Sequence, residues 1–364
     1  MLLTGAAEPG SAVDAAVRAG MRETGAKGLA VAMVEDGRVV FQQSYGVRNA
    51  KGEPLTGNTV MYGASLTKTV FAYTVLQLAG EGRLDLDKPI AAMLDRPLPE
   101  YGNLDAYGHW GDLAGDPRWA KITPRHVLTH STGFGNFHWD EPDEWLRIRF
   151  EPGGRYGYSG EGMMLLQFGL EQGLGLDMGE EMDRRVFRPL GMSRTSLKWR
   201  PDFAADLADG WRADGTVEPH DERSRVRVAG SMDTSIGDMA RFAAALHRFP
   251  HLAELSRPQL AITTRAQFPS LQPEAPPAER WRGLSAGLGV VTFRGPQGPG
   301  FFKGGHNDST GNTLVCVDRA RRCVVILAND VRAEAAFPGI VRAALGDTGL
   351  PWRWEYPQLT NVGR

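Results

Sequence analysis

No stretch of the chain approaches the roughly 18 to 20 consecutive apolar residues that a membrane-spanning helix requires. Cysteine is scarce, with 2 in 364 residues. Neither sits in a CxxC or metal-ligand spacing, which excludes a disulfide scaffold. No H-E-x-x-H or comparable cluster occurs, so neither a metal nor a cofactor is expected. An excess of charge is missing too: 41 Lys and Arg stand against 43 Asp and Glu, for a formal net charge of -2. Without a basic block there is no phosphate-neutralising footprint, and nucleic acid is not an expected partner. Low-complexity tracts and repeats of solenoid length are lacking. The opening Met1-Leu2-Leu3-Thr4-Gly5-Ala6-Ala7 has no basic n-region and too short an apolar run for an intact signal peptide. Gly5-Ala6-Ala7 would nonetheless suit the tail of one. The compartment stays open, cytoplasmic as the sequence stands and periplasmic if a leader precedes it, and so does the oligomeric state.

What is present fits an ordinary globular protein, 42% hydrophobic and 23% charged, long enough for two lobes around one core. A helix is expected near Ala12 to Thr24. Gly28 to Val34 and Arg38 to Tyr45 are β-branched runs joined by Glu35-Asp36-Gly37, a hairpin signal because glycine accepts the positive φ of a type I′ turn. Ser65 to Leu78 reads as a helix apolar almost all round, which belongs inside a core. Residues 85 to 249 look mostly helical between aromatic, Gly- and Pro-rich loops. Strand patterns return at Gly287 to Phe293, Asn312 to Asp318 and Arg322 to Leu327, and a helix near Ala333 to Leu345 follows. Gln267 to Arg280 is Pro-rich and reads as a surface loop. The expected class is α+β: an antiparallel sheet formed from both chain ends, flanked by helices, with an inserted helical lobe. One domain over residues 1–364 is expected, with a sheet lobe at about 12–84 and 283–350 and a helical lobe at about 85–282.

Three segments can carry chemistry. Ser65-Leu66-Thr67-Lys68 is an S-x-x-K, and residues three apart on a helix share a face, so the amine can reach the hydroxyl. Serine is a weak nucleophile until a base takes its proton, and lysine can be that base if burial lowers its pKa. Tyr158 follows a Pro-Gly-Gly turn and precedes another apolar run, where its phenol could relay protons. Lys303-Gly304-Gly305-His306 offers a cation beside two glycines that admit close backbone approach. Tyr101-Gly102-Asn103 is read as a turn, and His126 and His130 as structural. No G-x-S-x-G elbow exists, because Glu161 stands where the second glycine after Ser159 should be.

Taken together and in this order, the three segments resemble the serine β-lactamase-like superfamily: class C β-lactamases, family VIII carboxylesterases and D-Ala-D-Ala peptidases. Ile122 to Gly133, Pro189-Leu190-Gly191-Met192 and Ser231 to Phe242 are similar to the same group. The resemblance implies Ser65 as nucleophile, Lys68 and Tyr158 as the acid/base pair, and an oxyanion hole from the N–H groups of Ser65 and His306. It further implies substrate binding by Lys303, Gly304, Gly305 and His306. Two departures stand out. The usual Tyr-x-Asn has Gly160 in place of the amide, and the usual Lys-Thr-Gly has Gly304 in place of the hydroxyl. A hydrogen bond to a charged group contributes about 1.5 to 3 kcal/mol, so carboxylate-bearing β-lactams and D-Ala-D-Ala peptides should suffer more than neutral esters. The expected function is a serine hydrolase forming an acyl-enzyme, a carboxylesterase of family VIII type acting on a small ester or amide. The alternatives are a β-lactamase or D-amino-acid peptidase, or an acylated penicillin-binding or sensor module that does not turn over. Gly304→Thr should then restore some β-lactam activity.

Cys316 and Cys323 face one another if Arg319-Ala320 is a two-residue turn. Directly opposed residues have Cα atoms about 4.5 to 5.5 Å apart, at the short end of what a disulfide accepts. The turn lacks the glycine of a primed turn, so a longer loop with a shifted register is the alternative.

Overall fold

The structure is a computed structural model that describes residues 9–359; the segment Met1 to Ala7 lies outside the described residues. Helix α1 (Pro9–Thr24) leads into strands β1 (Gly28–Glu35) and β2 (Arg38–Gly46). Asp36 and Gly37 turn between them with φ of 47° and 73°, the left-handed pair that a tight hairpin demands. Near the other end come β3 (Leu260–Ala261), β4 (Ser285–Ala286), β5 (Val291–Gly295), β6 (Gly298–His306), β7 (Gly311–Val317) and β8 (Arg322–Ala328). They form one eight-stranded sheet in the order β2-β1-β8-β7-β6-β5-β4-β3. Every neighbouring pair is antiparallel, with β1 on β8 in register from Leu29↔Ala328 to Glu35↔Arg322. The expected sheet from both chain ends is thus the observed one. Its last short strand, β3, lies ahead of the lobe boundary expected near residue 282.

Two faces of the sheet make two cores. In β1, Leu29, Val31 and Met33 join Val13 and Val17 of α1 and Ile340 and Val341 of α5 (Phe337–Leu345). The alternate residues Ala30, Ala32 and Val34 face α2 (Leu66–Gly80) and α4 (Ile236–Leu246). A strand with apolar side chains on both faces belongs at the centre of a sandwich of layers, and period-two alternation sorts its residues between them. Helix α2 is buried on almost every side, as its all-round apolar sequence requires.

The middle of the chain is less helical than its sequence reads. Between α2 and α4 the longest regular helix is α3 (Gly160–Phe168). Much of the rest is single 3₁₀ turns, such as Ile90–Met93 and Leu98–Tyr101, and short π-helical stretches at Gly169–Gly173 and Asp183–Phe187. The frequent Pro and Gly keep most runs in this segment too short for a long α-helix to propagate.

Cys316 and Cys323 are paired across β7 and β8 and joined by a disulfide. The turn at Arg319 and Ala320 is of the two-residue primed kind after all. Both residues have positive φ (55° and 61°), and the Arg321 amide donates to the Asp318 carbonyl at 3.0 Å.

Candidate active site

Ser65 ends a sharp turn. Ala64 before it has φ of 46°, and Ser65 itself caps the N-terminus of α2. Thr67 ties the turn down: its hydroxyl donates to the Ala64 carbonyl at 2.5 Å and accepts from the Met232 amide at 3.2 Å. One helical turn on, Lys68 Nζ lies 3.0 Å from Ser65 Oγ and also meets the Ala229 carbonyl. Lys68 is only 2% exposed. Burial, and after it the neighbouring Lys303 charge, hold its amine well below the ordinary lysine range, against the opposing pull of Glu355. A neutral amine beside a serine hydroxyl can accept its proton.

Tyr158 arrives from the extended lead-in to α3 and places its hydroxyl 2.7 Å from Ser65 Oγ. Burial raises the phenol's pKa; the hydrogen bond to Ser65 pulls it down and Glu355 adds to the rise. The side-chain nitrogens of Lys68 and Lys303 each lie 5.0 Å from the centroid of its ring. On its other side packs His130, 4.4 Å away and accepting from the Ser159 amide at 3.1 Å. Burial, Lys68 and Lys303 push that imidazole well down, so it packs as a neutral ring. His126, farther back, closes a capping box with Thr123. Both histidines have structural contacts, as their sequence setting suggests.

Strand β6 runs past the N-terminus of α2. A Cβ on Gly305 would stand 3.0 Å from the Ser65 amide nitrogen and 2.8 Å from the Gly63 carbonyl oxygen, so only glycine permits this approach. The Ser65 amide itself donates to no protein acceptor among the described residues, which leaves it available to an oxyanion at the positive end of a helix. Lys303 is buried and donates to the Gly304 carbonyl at 2.7 Å. His306 Nδ1 pairs with Glu334 Oε1 at 3.0 Å. Burial opposes the imidazolium, but the Glu334 hydrogen bond and the Glu334 and Glu355 charges outweigh it and raise the His306 pKa.

These groups open onto a cleft of about 500 Å³ whose walls include Tyr62, Asn136, Phe137, Trp139, Phe268 and Glu355. Those wall residues carry no motif, and their place is set by long-range packing. Phe137 stacks on Trp139 at 4.3 Å and fills the space beside Gly160, where a Cβ would come within 2.2 Å of its ring. Beside it the Asn136 side-chain amide also reaches the cleft, its Oδ1 accepting from the Gly160 amide at 3.1 Å. Gln267 and Phe268, read from sequence as part of a surface loop, turn inward and reach the cleft. The expected benefit of Gly304→Thr also needs correction: a Cβ there would meet Glu355 Oε1 at 2.1 Å, so the place of the missing hydroxyl is already occupied.

Two tyrosines provide an internal comparison. Tyr101 bonds to Asp95 on the surface and edges onto Phe168, while Tyr158 touches Ser65. Tyr158→Phe is expected to lower turnover by about a hundredfold or more and Tyr101→Phe to leave it within about twofold, since each change removes only a hydroxyl. Steady-state rates on one chromogenic ester decide it, and the reverse ranking would reject Tyr158 as the proton relay.

Among the described residues no group of His, Cys, Asp and Glu could hold a metal ion, and no helix is long and apolar enough to cross a membrane. The family model described as Beta-lactamase matches residues 13–346. Esterase EstB of Burkholderia gladioli is 27% identical over 206 residues, 56% of this chain and 44% of that protein. A D-aminopeptidase of Gluconobacter oxydans is 26% identical over 215 residues, 57% of this chain and 39% of that protein. The matched stretch thus spans less than half the length of either relative. A class C beta-lactamase structure superposes with a TM-score of 0.72 at 16% identity, over 93% of this chain and 96% of that one, a likeness of fold.

Proposed function

The chain belongs to the Beta-lactamase family, and from that premise we propose that it is a carboxylesterase working through an acyl-enzyme on Ser65. Lys68, its basicity lowered by burial, takes the Ser65 proton as Oγ attacks the ester carbonyl. The developing oxyanion is received by the N–H groups of Ser65 and His306, each such donor contributing roughly 3 kcal/mol in the transition state. Tyr158, within reach of Ser65 Oγ, hands a proton to the departing alcohol. Water then enters by the same route in reverse and releases the acid. Lys303 keeps the Tyr158 ring under positive potential and, with Gly304 and Gly305, forms the strand along which substrate lies.

The observation that carries the ester assignment is the cleft wall. Phe137 packs against Gly160 and lines the cleft with Trp139 and Phe268, and Gly304 has no hydroxyl for a carboxylate. The esterase relative supports the same reading. Short-chain p-nitrophenyl esters are expected to give kcat/KM at least tenfold above a chromogenic cephalosporin and above D-amino-acid amides, measured on one preparation. The retained Lys303 cation favours a second reading, a β-lactamase or D-amino-acid peptidase, which the same panel would reveal by preferring the cephalosporin or an amide to every ester.

A further inference from the structure

Glu355 ends a one-turn helix, Trp352–Glu355, close to the end of the described chain. No motif marks it, yet it stands inside the catalytic cleft. It is 1% exposed. Gln267 Nε2 donates to its Oε1 at 3.1 Å, while Oε2 has no partner among the described residues. Its carboxylate fills the space beside Gly304, 2.1 Å from where a Cβ would be. An unpaired buried carboxylate is costly unless a nearby cation offsets it. Lys303 and Lys68 lie near it, Arg223, Arg225 and Arg227 line the same cleft, and Glu355 favours the protonated form of both lysines against burial. No ion pair closer than 4.0 Å joins Glu355 to either lysine among the described residues. The balance therefore acts through the field of the site, and the positive charge of Lys303 is offset from within the protein. A carboxylate arriving beside Gly304 meets the Glu355 carboxyl group in its path to Lys303.

We propose that Glu355 is a specificity-determining residue that rejects acyl groups bearing a carboxylate beside Gly304 and confines the site to neutral ones. This rests on the acyl-enzyme reading above and supplies its electrostatic cause. Two like charges about 6 Å apart, at an effective dielectric of about 20, repel enough for roughly a hundredfold discrimination.

The test uses single-turnover phosphonylation of the whole chain, so it does not depend on the natural substrate. Two ethyl p-nitrophenyl alkylphosphonate diesters, uncharged at phosphorus, are compared, identical except for a terminal carboxylate on one. In each, a bond forms between Ser65 Oγ and phosphorus, the aryl P–O bond breaks, and p-nitrophenolate leaves while the serine proton passes to the enzyme base. The released p-nitrophenolate gives the second-order rate constant. The ratio of neutral to anionic probe is independent of the fraction of folded enzyme. Wild type is expected to favour the neutral probe at least tenfold, and Glu355→Gln to reduce that ratio by at least tenfold. Glu355→Ala should do the same. A wild-type ratio near one, or a ratio unmoved in both variants, overturns the proposal. Charge-selective labelling without ester turnover would defeat the ester assignment and leave the role of Glu355 standing. Failure of both probes to label Ser65 in the wild type would defeat the serine mechanism and the proposal with it.

Discussion

Ser65→Ala is expected to reduce ester turnover by about a millionfold, to the level left by binding and the oxyanion donors alone. In the wild type one oxygen is shared by the two groups that can move its proton, Lys68 at 3.0 Å and Tyr158 at 2.7 Å. Removing it leaves both with nothing to activate except water, held less well. The fold should survive, since Ser65 caps α2 without a side-chain hydrogen bond to the helix and Lys68 keeps its contact with the Ala229 carbonyl. The measurement is steady-state turnover together with intact-mass labelling by a fluorophosphonate. Ser231 and Ser224 also line the cleft, so the variant provides a real control. Labelling of either with retained turnover would move the nucleophile elsewhere.

Lys68→Ala should be nearly as damaging, by about ten-thousandfold or more, because no other group in the site combines a lowered basicity with contact to Ser65 Oγ. The pH dependence separates a base from a merely packed lysine. The folded-state pKa of Lys68 is depressed by burial and by Lys303, and the active form is the deprotonated one. Activity should therefore be full above that depressed value and fall as pH drops through it. In Lys68→Ala the residual rate should lose this acidic limb. Lys68→Arg should not rescue, since a guanidinium cannot be deprotonated in a protein. A near-normal rate in Lys68→Ala would make the S-x-x-K spacing a coincidence.

The parts of the fold that could be read in the sequence are those governed by local rules. Asp36-Gly37 announces the first hairpin, the apolar run after Ser65 announces α2, and the β-branched runs from Asn312 to Leu327 announce β7 and β8. Strand β6 escaped as a strand because Gly298, Gly300, Gly304 and Gly305 remove the alternation that marks one. Gly298 supplies a φ of 87°, and the others stand where neighbouring groups press against the backbone: Phe293 on Gly300, Glu355 on Gly304 and the turn before Ser65 on Gly305. In the candidate site, Ser65 and Lys68 are linked by helical spacing and were visible for that reason. Phe137 and Glu355 reach the cleft through contacts between distant segments, which no spacing encodes. The aromatic wall at Gly160 and the carboxylate at Gly304 are thus seen in sequence only as two missing polar side chains.

The antiparallel sheet has one further consequence, for the order in which the molecule can assemble. Strand β1 is flanked by β2, its immediate successor, and by β8, nearly three hundred residues later in the chain. During synthesis the first hairpin emerges with one hydrogen-bonding edge unpaired, and α2 emerges with no β6 to lie beside it. Closing so long a loop is slow, and exposed strand edges invite pairing with other chains. Expression of this protein should accordingly be more sensitive to chaperone supply and growth temperature than its finished core would suggest. A ribosome that stalls before residue 322 releases a chain whose first strand has no second neighbour.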